Sequence, residues 1–129
     1  MMKSTSSISY YLFLDDIRNP SQVTWERLPV TDWVIARNYQ QFISIIKMNG
    51  LPKFISFDHD LADEHYDSSK KEYREKTGYD CAQWLVNYCL DNNVDPCEYV
   101  VHSMNPVGKK NIEFFLSQFS RFKASSKNS

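Results

Sequence analysis

Acidic and imidazole side chains follow three apolar segments of this chain, each at the point where the segment ends. In chain order these are Tyr10–Leu14 with Asp15 and Asp16, Phe54–Phe57 with Asp58, His59 and Asp60, and Glu98–Val101 with His102 and Ser103. If the segments are parallel strands of one open sheet, their carboxyl ends lie side by side, and ligands bind just beyond them. Four carboxylates and two imidazoles would then share one pocket. Like charges that close raise each other's pKa unless a cation neutralises them, so the expected cofactor is Mg²⁺ or Mn²⁺.

The carboxylates are the candidate metal ligands and the histidines the candidate acid–base groups. The predicted metal ligands are Asp15, Asp16, Asp58 and Asp60. A turn or a helix N-cap explains one Asp after a strand but seldom two in succession. Asp58, at the strand tip, is predicted to be a central ligand or a nucleophile. A charged imidazole beside carboxylates can act as a general acid, so His59 and His102 join Asp58 as candidate catalytic residues, although a lone histidine is more often structural.

Polar and basic side chains near the same strand ends are the candidate anion-binding groups. Ser103 and Asn105 precede the last predicted helix, and free N–H groups at a helix start favour anions, although Asn105 before a proline also suits an N-cap. Arg18 and Arg37 each follow a strand end, where a guanidinium can clamp a phosphate through two N–H groups. Lys109 lies in a first helical turn, where the helix dipole disfavours cations. A nearby anion would explain it, and so would a solvated surface.

Strand and helix patterns alternate along the chain, which predicts a parallel sheet with helices on its faces. The predicted strands are Tyr10–Leu14, Asp32–Ala36, Phe54–Phe57 and Glu98–Val101. The predicted helices are Tyr39–Met48, Gly78–Leu90 and Pro106–Phe122. Ile17–Pro29 contains two prolines and predicts a loop with one helical turn around Gln22–Arg27. The densely charged segment Asp63–Thr77 has no apolar stripe. It is either a solvated segment or a lid over the pocket.

Length and composition limit the classes of protein that this chain can represent. Its 129 residues predict one domain, over residues 8–122, with flexible tails at 1–7 and 123–129. With 15 basic and 16 acidic residues, no overall field favours a membrane or an extended nucleic-acid surface. The three cysteines lack CxxC spacing, which is typical of reduced thiols in a cytoplasmic protein, and Cys81 and Cys89 are expected in or near the core. No segment approaches the ~20 apolar residues of a membrane span.

Four segments resemble, in order and spacing, the motifs of the cyclic-phosphate processing receiver domain family, a divergent relative of response-regulator receivers. They are Leu12–Pro20, Ile55–Leu61, Gly78–Asp80 with Trp84 and Leu85, and Val101–Gly108. The resemblance spans about Tyr11 to Leu116. It implies a receiver-like (flavodoxin-like) three-layer α/β sandwich with four parallel strands in the order 2-1-3-4. It also implies a cyclic phosphate, on a nucleotide or an RNA end, as the class of substrate.

Departures from ordinary receivers point to the expected activity. The chain keeps the acidic pair, the central Asp58 and a hydroxyl at Ser103, but the usual fifth strand and its lysine are absent, with Lys109 as a candidate substitute. His59, Asp60 and His102 add acid–base groups that a phospho-signalling switch does not need. We therefore expect a metal-dependent phosphodiesterase that hydrolyses a cyclic phosphate.

Three other functions are compatible with parts of the sequence. One is a non-catalytic receiver-like module that binds a nucleotide or a partner protein, and a second is a receiver that accepts a phosphoryl group on Asp58. The third is a haloacid-dehalogenase-like phosphatase, since Asp58-His59-Asp60 and the later Ser103 imitate its motifs. That family needs acidic metal ligands further along the chain. After Ser103 the only carboxylate side chain is that of Glu113, inside a predicted helix.

Overall fold

The computed structural model describes residues 9–61 and 76–127. Its elements are β1 (Tyr11–Leu14), β2 (Trp33–Ala36), α1 (Tyr39–Asn49), β3 (Phe54–Phe57), α2 (Gly78–Asn92), β4 (Glu98–Val101) and α3 (Pro106–Lys127). A single 3-10 turn, Pro20–Gln22, lies between β1 and β2, slightly earlier than the predicted turn. The predicted lid Asp63–Thr77 lies mostly outside the described residues, and the predicted tail 1–7 lies wholly outside them.

Local capping chemistry sets the ends of the helices. The Asn38 side chain accepts a hydrogen bond from the backbone N–H of Gln41 at the start of α1, and Gly50 ends that helix with a φ of 84°. Thr77 and Asp80 form a capping box at the start of α2. α3 runs on to Lys127, into the segment predicted as a tail, because residues 123–127 contain no glycine or proline to stop it.

All four strands are parallel, and their order across the sheet is β2-β1-β3-β4. This confirms the predicted order 2-1-3-4. β1 and β3 occupy the centre of the sheet, where strands are buried on both faces. Three of the four residues of each are buried accordingly.

The three helices form one layer, since α2 packs between α1 and α3. Alternate strand residues point into the core beneath them, among them Leu12, Leu14, Ile55 and Phe57. Cys81 and Cys89 lie in this core as predicted. On the opposite face the third layer is irregular chain from the β1–β2 loop, where Val23 is buried. Among the described residues, no helix is long and apolar enough to cross a membrane.

Candidate functional site

Four candidate residues lie in a row across the carboxyl edge of the sheet. Continuing each strand pairing by one residue aligns Arg37, Asp15, Asp58 and His102. Backbone hydrogen bonds continue the ladder here: the N–H groups of Asp15, Asp58 and His102 donate to carbonyls of the neighbouring strands at 3.1, 2.9 and 2.9 Å. Because side chains alternate along a strand, this row points away from the helical layer.

Asp15 is fully buried, and both of its carboxylate oxygens are engaged. Oδ1 accepts hydrogen bonds from the backbone N–H groups of Ile17 (2.9 Å) and Arg18 (2.7 Å), and Oδ2 lies 2.9 Å from Nε2 of His102. Burial by itself would raise the pKa of Asp15. The hydrogen bonds from His102, Arg18 and Ile17 outweigh it and hold the pKa below its usual value. Asp15 is therefore ionised at neutral pH.

His102 orients Asp15 from inside the protein. Its ring is fully buried and stacks on Phe13 with 4.6 Å between centroids. An ionised carboxylate can only accept, so Nε2 carries the proton shared with Asp15, while Nδ1 lies 2.6 Å from the Ser56 hydroxyl. With both ring nitrogens engaged, the ring can fix the direction of the Asp15 carboxylate. This geometry favours an orienting role over the proton transfer that the sequence suggested.

Asp58 is the residue of the row whose ionised form is disfavoured by its surroundings. It is 4% exposed, and its pKa is raised to about 6, first by burial and then by the negative charge of Asp15, with a smaller contribution from Asp16. Its Oδ1 accepts a 2.8 Å hydrogen bond from the backbone N–H of His59. Oδ2 has no hydrogen-bond partner among residues 9–61 and 76–127. A buried carboxylate oxygen without a donor, beside a second carboxylate, is a position that a cation would stabilise.

Asp58 is the one residue of the row that lines a cleft of about 450 Å³. Its lining residues are Asp16, Arg18, Asp58, Asp60, Ser103, Met104, Asn105 and Pro106. The Asn105 side chain caps α3 by accepting from the N–H of Gly108 at 3.0 Å, and its amide group reaches Asp60 at 3.3 Å. The Ser103 hydroxyl accepts from the N–H of Asn105 at 3.1 Å. Ser103 and Asn105 thus both shape the loop and face the cleft.

His59 lies beside the cleft, clamped between its neighbour and α3. Its Nδ1 is 3.0 Å from Oδ1 of Asp60, whose side chain is 70% exposed. The imidazole packs on Gly108 so closely that a Cβ there would lie 2.3 Å from the ring. Nε2 of His59 has no hydrogen-bond partner in the part of the chain that the structure describes.

The three candidate cations differ in what holds them. The Arg18 guanidinium lies at the rim of the cleft, stacked over Trp25 at 5.2 Å and 3.6 Å from Sδ of Met104. The Arg37 guanidinium donates to the backbone carbonyls of Asp15 (3.2 Å) and Arg18 (2.6 Å), which braces the β1–β2 loop. Lys109 forms a 2.7 Å ion pair with Glu26 that ties α3 to the same loop. Of the three, only Arg18 lines the cleft.

Some residues of the site were missed in the sequence. Ser56 could have been found, because it lies two positions before Asp58 and so shares its face of the strand. Trp25 donates from its indole N–H to the carbonyl of His102 at 2.7 Å, and nothing in the pattern of its loop indicates this contact. Gly78 belongs to one of the resembling motifs, but its contact with the backbone of Asp58, where a Cβ would lie 1.8 Å from the carbonyl oxygen, was not predicted.

The donor set fits a hard divalent cation. Asp15, Asp58 and His102 each offer one ligand atom, and these atoms lie within 4.8 Å of one another. The His102 nitrogen is already bonded to Asp15, whereas a carboxylate oxygen has lone pairs to spare. Asp16 and Asp60 line the cleft but lie outside this group of three. Carboxylate oxygens are the ligands that Mg²⁺ prefers and that Mn²⁺ accepts.

The raised pKa of Asp58 predicts how the metal-free protein responds to pH. The pKa of Asp58 is about 6 in the folded protein and 3.8 as its ordinary value. The folded protein therefore loses stability as the pH rises from 3.8 through about 6, because ionising Asp58 is harder in the folded state than in the unfolded state. Asp15 has the opposite effect, and at lower pH. Because its pKa is lowered in the folded protein, stability is lost only as the pH falls below 3.8. We expect urea midpoints measured in chelator to fall from pH 4 to pH 7 more steeply in the parent than in Asp58→Asn. Parallel profiles for the two proteins would contradict this assignment.

The sheet order and the acidic row at its carboxyl edge define a receiver-like α/β domain. The family model described as the cyclic-phosphate processing receiver domain matches residues 10–118. Because this match covers most of the chain, the protein belongs to the cyclic-phosphate processing receiver domain family. Comparison with curated proteins and with solved structures gave no match.

Proposed function

We propose that this protein is a metal-dependent phosphodiesterase that opens the cyclic phosphate of a nucleotide or an RNA end. The observation that carries the proposal is the unpartnered, buried Oδ2 of Asp58 beside the ionised Asp15, at the base of a cleft. Membership of a family described by cyclic-phosphate processing supports the class of substrate. The acidic row supports the dependence on metal.

Asp15 and Asp58 would hold Mg²⁺ or Mn²⁺, with Asp16 close enough to add its charge to the site. The bound ion would supply positive charge that polarises the phosphoryl group and acidifies water. His102 would hold the Asp15 carboxylate in place beside Asp58 through their 2.9 Å hydrogen bond. Ser56 fixes the His102 ring from its other side. The protein therefore presents its ligands in a preorganised geometry.

His59 is the residue that we assign to proton transfer. Asp60 holds its Nδ1 and Gly108 supports its ring, so Nε2 remains for the ligand. During hydrolysis water adds to phosphorus and one ester P–O bond breaks. Protonated His59 would give its proton to the departing oxygen, and the proton released by the attacking water would return to His59 through solvent. Arg18, Ser103 and Asn105 line the cleft where the phosphate oxygens would lie, and the N–H groups at the start of α3 favour an anion there.

Turnover of cyclic phosphates tests this function. We expect 2′,3′-cyclic nucleotides or cyclic dinucleotides to be converted to ring-opened phosphate esters only when Mn²⁺ or Mg²⁺ is present, as followed by ³¹P NMR. His59→Gln should lower the rate by about 10²-fold or more, the usual contribution of a general acid. It should leave the affinity for metal unchanged, which separates proton transfer from metal binding.

Three outcomes would count against the enzymatic proposal. If metal is bound but no cyclic phosphate is consumed, the protein is not a phosphodiesterase for these substrates. A thermal shift produced by an unaltered nucleotide without metal would favour a binding module. A phosphoryl group on Asp58 after incubation with acetyl phosphate, detected by intact mass, would favour a signalling receiver.

A further inference from the structure

The Arg18 guanidinium is held at the cleft mainly by contact with an aromatic ring. Its central carbon lies 5.2 Å from the centroid of the Trp25 ring, within the range of a cation–π interaction. Nη2 donates to Sδ of Met104 at 3.6 Å, a weak acceptor, and Nη1 lies 3.9 Å from Oδ2 of Asp15, beyond hydrogen-bond distance. Within the chain segments that the structure describes, no other acceptor binds this guanidinium, so most of its N–H groups remain available to a ligand.

The other two candidate cations are held by contacts that use their donors or their charge. Arg37 donates to backbone carbonyls, and Lys109 is paired with the Glu26 carboxylate. An aromatic ring differs from both partners, because it attracts the flat face of a guanidinium and leaves the N–H groups at its edge unbonded. A stacked arginine therefore keeps the fork of donors that binds a phosphate through two oxygens.

Trp25 is itself fixed relative to the site. Its indole N–H donates to the backbone carbonyl of His102 at 2.7 Å, which ties the β1–β2 loop to the end of β4. The next residue, Glu26, accepts a 2.7 Å hydrogen bond from Lys109 of α3. The Trp25 residue is 39% exposed, so burial in the core does not account for where its ring lies. Two contacts at successive positions therefore hold the ring beside the cleft.

We propose that Trp25 is a positioning residue for phosphate binding, which holds the Arg18 guanidinium at the cleft before the substrate arrives. A free arginine side chain loses much of its rotational freedom when it closes on a phosphate, whereas a stacked one has already lost part of it. The affinity for a phosphate ester therefore depends on the Trp25 ring as well as on the Arg18 charge. This inference rests on the proposed function, in which Arg18 lies where the phosphate oxygens bind.

A double-mutant cycle on phosphate binding tests this assignment. The probe is uridine 3′-monophosphate, a ring-opened ester whose binding requires no turnover, titrated by calorimetry with excess Mg²⁺. We expect Arg18→Gln to weaken its binding about tenfold or more, because charged hydrogen-bond donors are lost. Trp25→Leu should weaken it about fivefold, because the cation–π contact is lost. In the Arg18→Gln background, Trp25→Leu should cost nothing further, since the ring then has no guanidinium to hold.

Trp25→Phe keeps an aromatic face but loses the N–H that donates to His102, so its affinity should lie between those of the parent and Trp25→Leu. Circular dichroism confirms that each variant is folded, and if Trp25→Leu is not, the cycle is run with Trp25→Phe. A purely structural Trp25 would give the same loss in both Arg18 backgrounds, which would overturn the proposal. A parent that does not bind the ester, or unchanged binding in either single variant, would also overturn it. Because the cycle measures binding, its outcome is independent of whether cyclic phosphates are hydrolysed.

Discussion

Replacing Asp58 with asparagine is expected to weaken Mn²⁺ binding by about a hundredfold or more while leaving the metal-free protein at least as stable as the parent at pH 7. The pKa of Asp58 is raised to about 6 by burial and by the charge of Asp15, so its ionised form is held there against repulsion. An amide of the same shape removes that repulsion. The asparagine side chain still has an oxygen that can accept a hydrogen bond from the N–H of His59. It lacks the negative charge that attracts a cation.

Calorimetric titration with Mn²⁺ and urea melts in chelator measure the two effects separately. The control is Asp60→Asn, which makes the same chemical change at a side chain that is 70% exposed, and it should alter both quantities much less. A clear loss of stability in metal-free Asp58→Asn would show that Asp58 is a structural acceptor instead. The expected cost in that case is about 1–3 kcal/mol.

Gly78→Ala is expected to destabilise the domain by about 3 kcal/mol or more. A Cβ at this position would lie 1.8 Å from the carbonyl oxygen and 2.9 Å from the carbonyl carbon of Asp58. Both are backbone atoms, so relief requires α2 to move away from the end of β3. That movement would also stretch the 2.7 Å hydrogen bond from the N–H of Gly78 to the carbonyl of His59. The start of α2 and the candidate metal site therefore share one close contact.

Gly108→Ala is the matched comparison for this substitution. There the added Cβ would meet the His59 ring at 2.3 Å, and a side chain can turn aside where a backbone cannot. We expect the urea midpoint of Gly108→Ala to lie much closer to that of the parent than the midpoint of Gly78→Ala, while turnover falls because His59 is displaced. Equal losses of stability in the two variants would contradict the distinction between backbone and side-chain contact.

The strands and the position of the candidate site could be predicted from the pattern of the sequence, and the strand order from the resemblance to the receiver domain family. Short apolar runs bounded by charged residues specify buried parallel strands, and helices between them require crossovers that leave all carboxyl ends at one edge. Asp15, Asp58 and His102 follow three such runs directly, so their convergence was predictable. Because side chains alternate along β3, the sequence also determines that Asp58 lies on the same face of the sheet as Ser56. These properties depend on local pattern and on general rules of chain connection.

The roles of the individual side chains were decided by the tertiary structure. Asp15 and Asp58 follow similar strands, yet the pKa of one is lowered and that of the other raised, because Asp15 receives hydrogen bonds from His102 and from two backbone N–H groups. The His102 contact joins residues 87 positions apart in the chain. Likewise, the sequence placed Arg37 and Lys109 near the site but did not predict their partners. Arg37 donates to backbone carbonyls, and Lys109 forms an ion pair with the Glu26 carboxylate. A sequence pattern encodes which face a side chain occupies, whereas its pKa and partners depend on the distances that packing sets between distant segments.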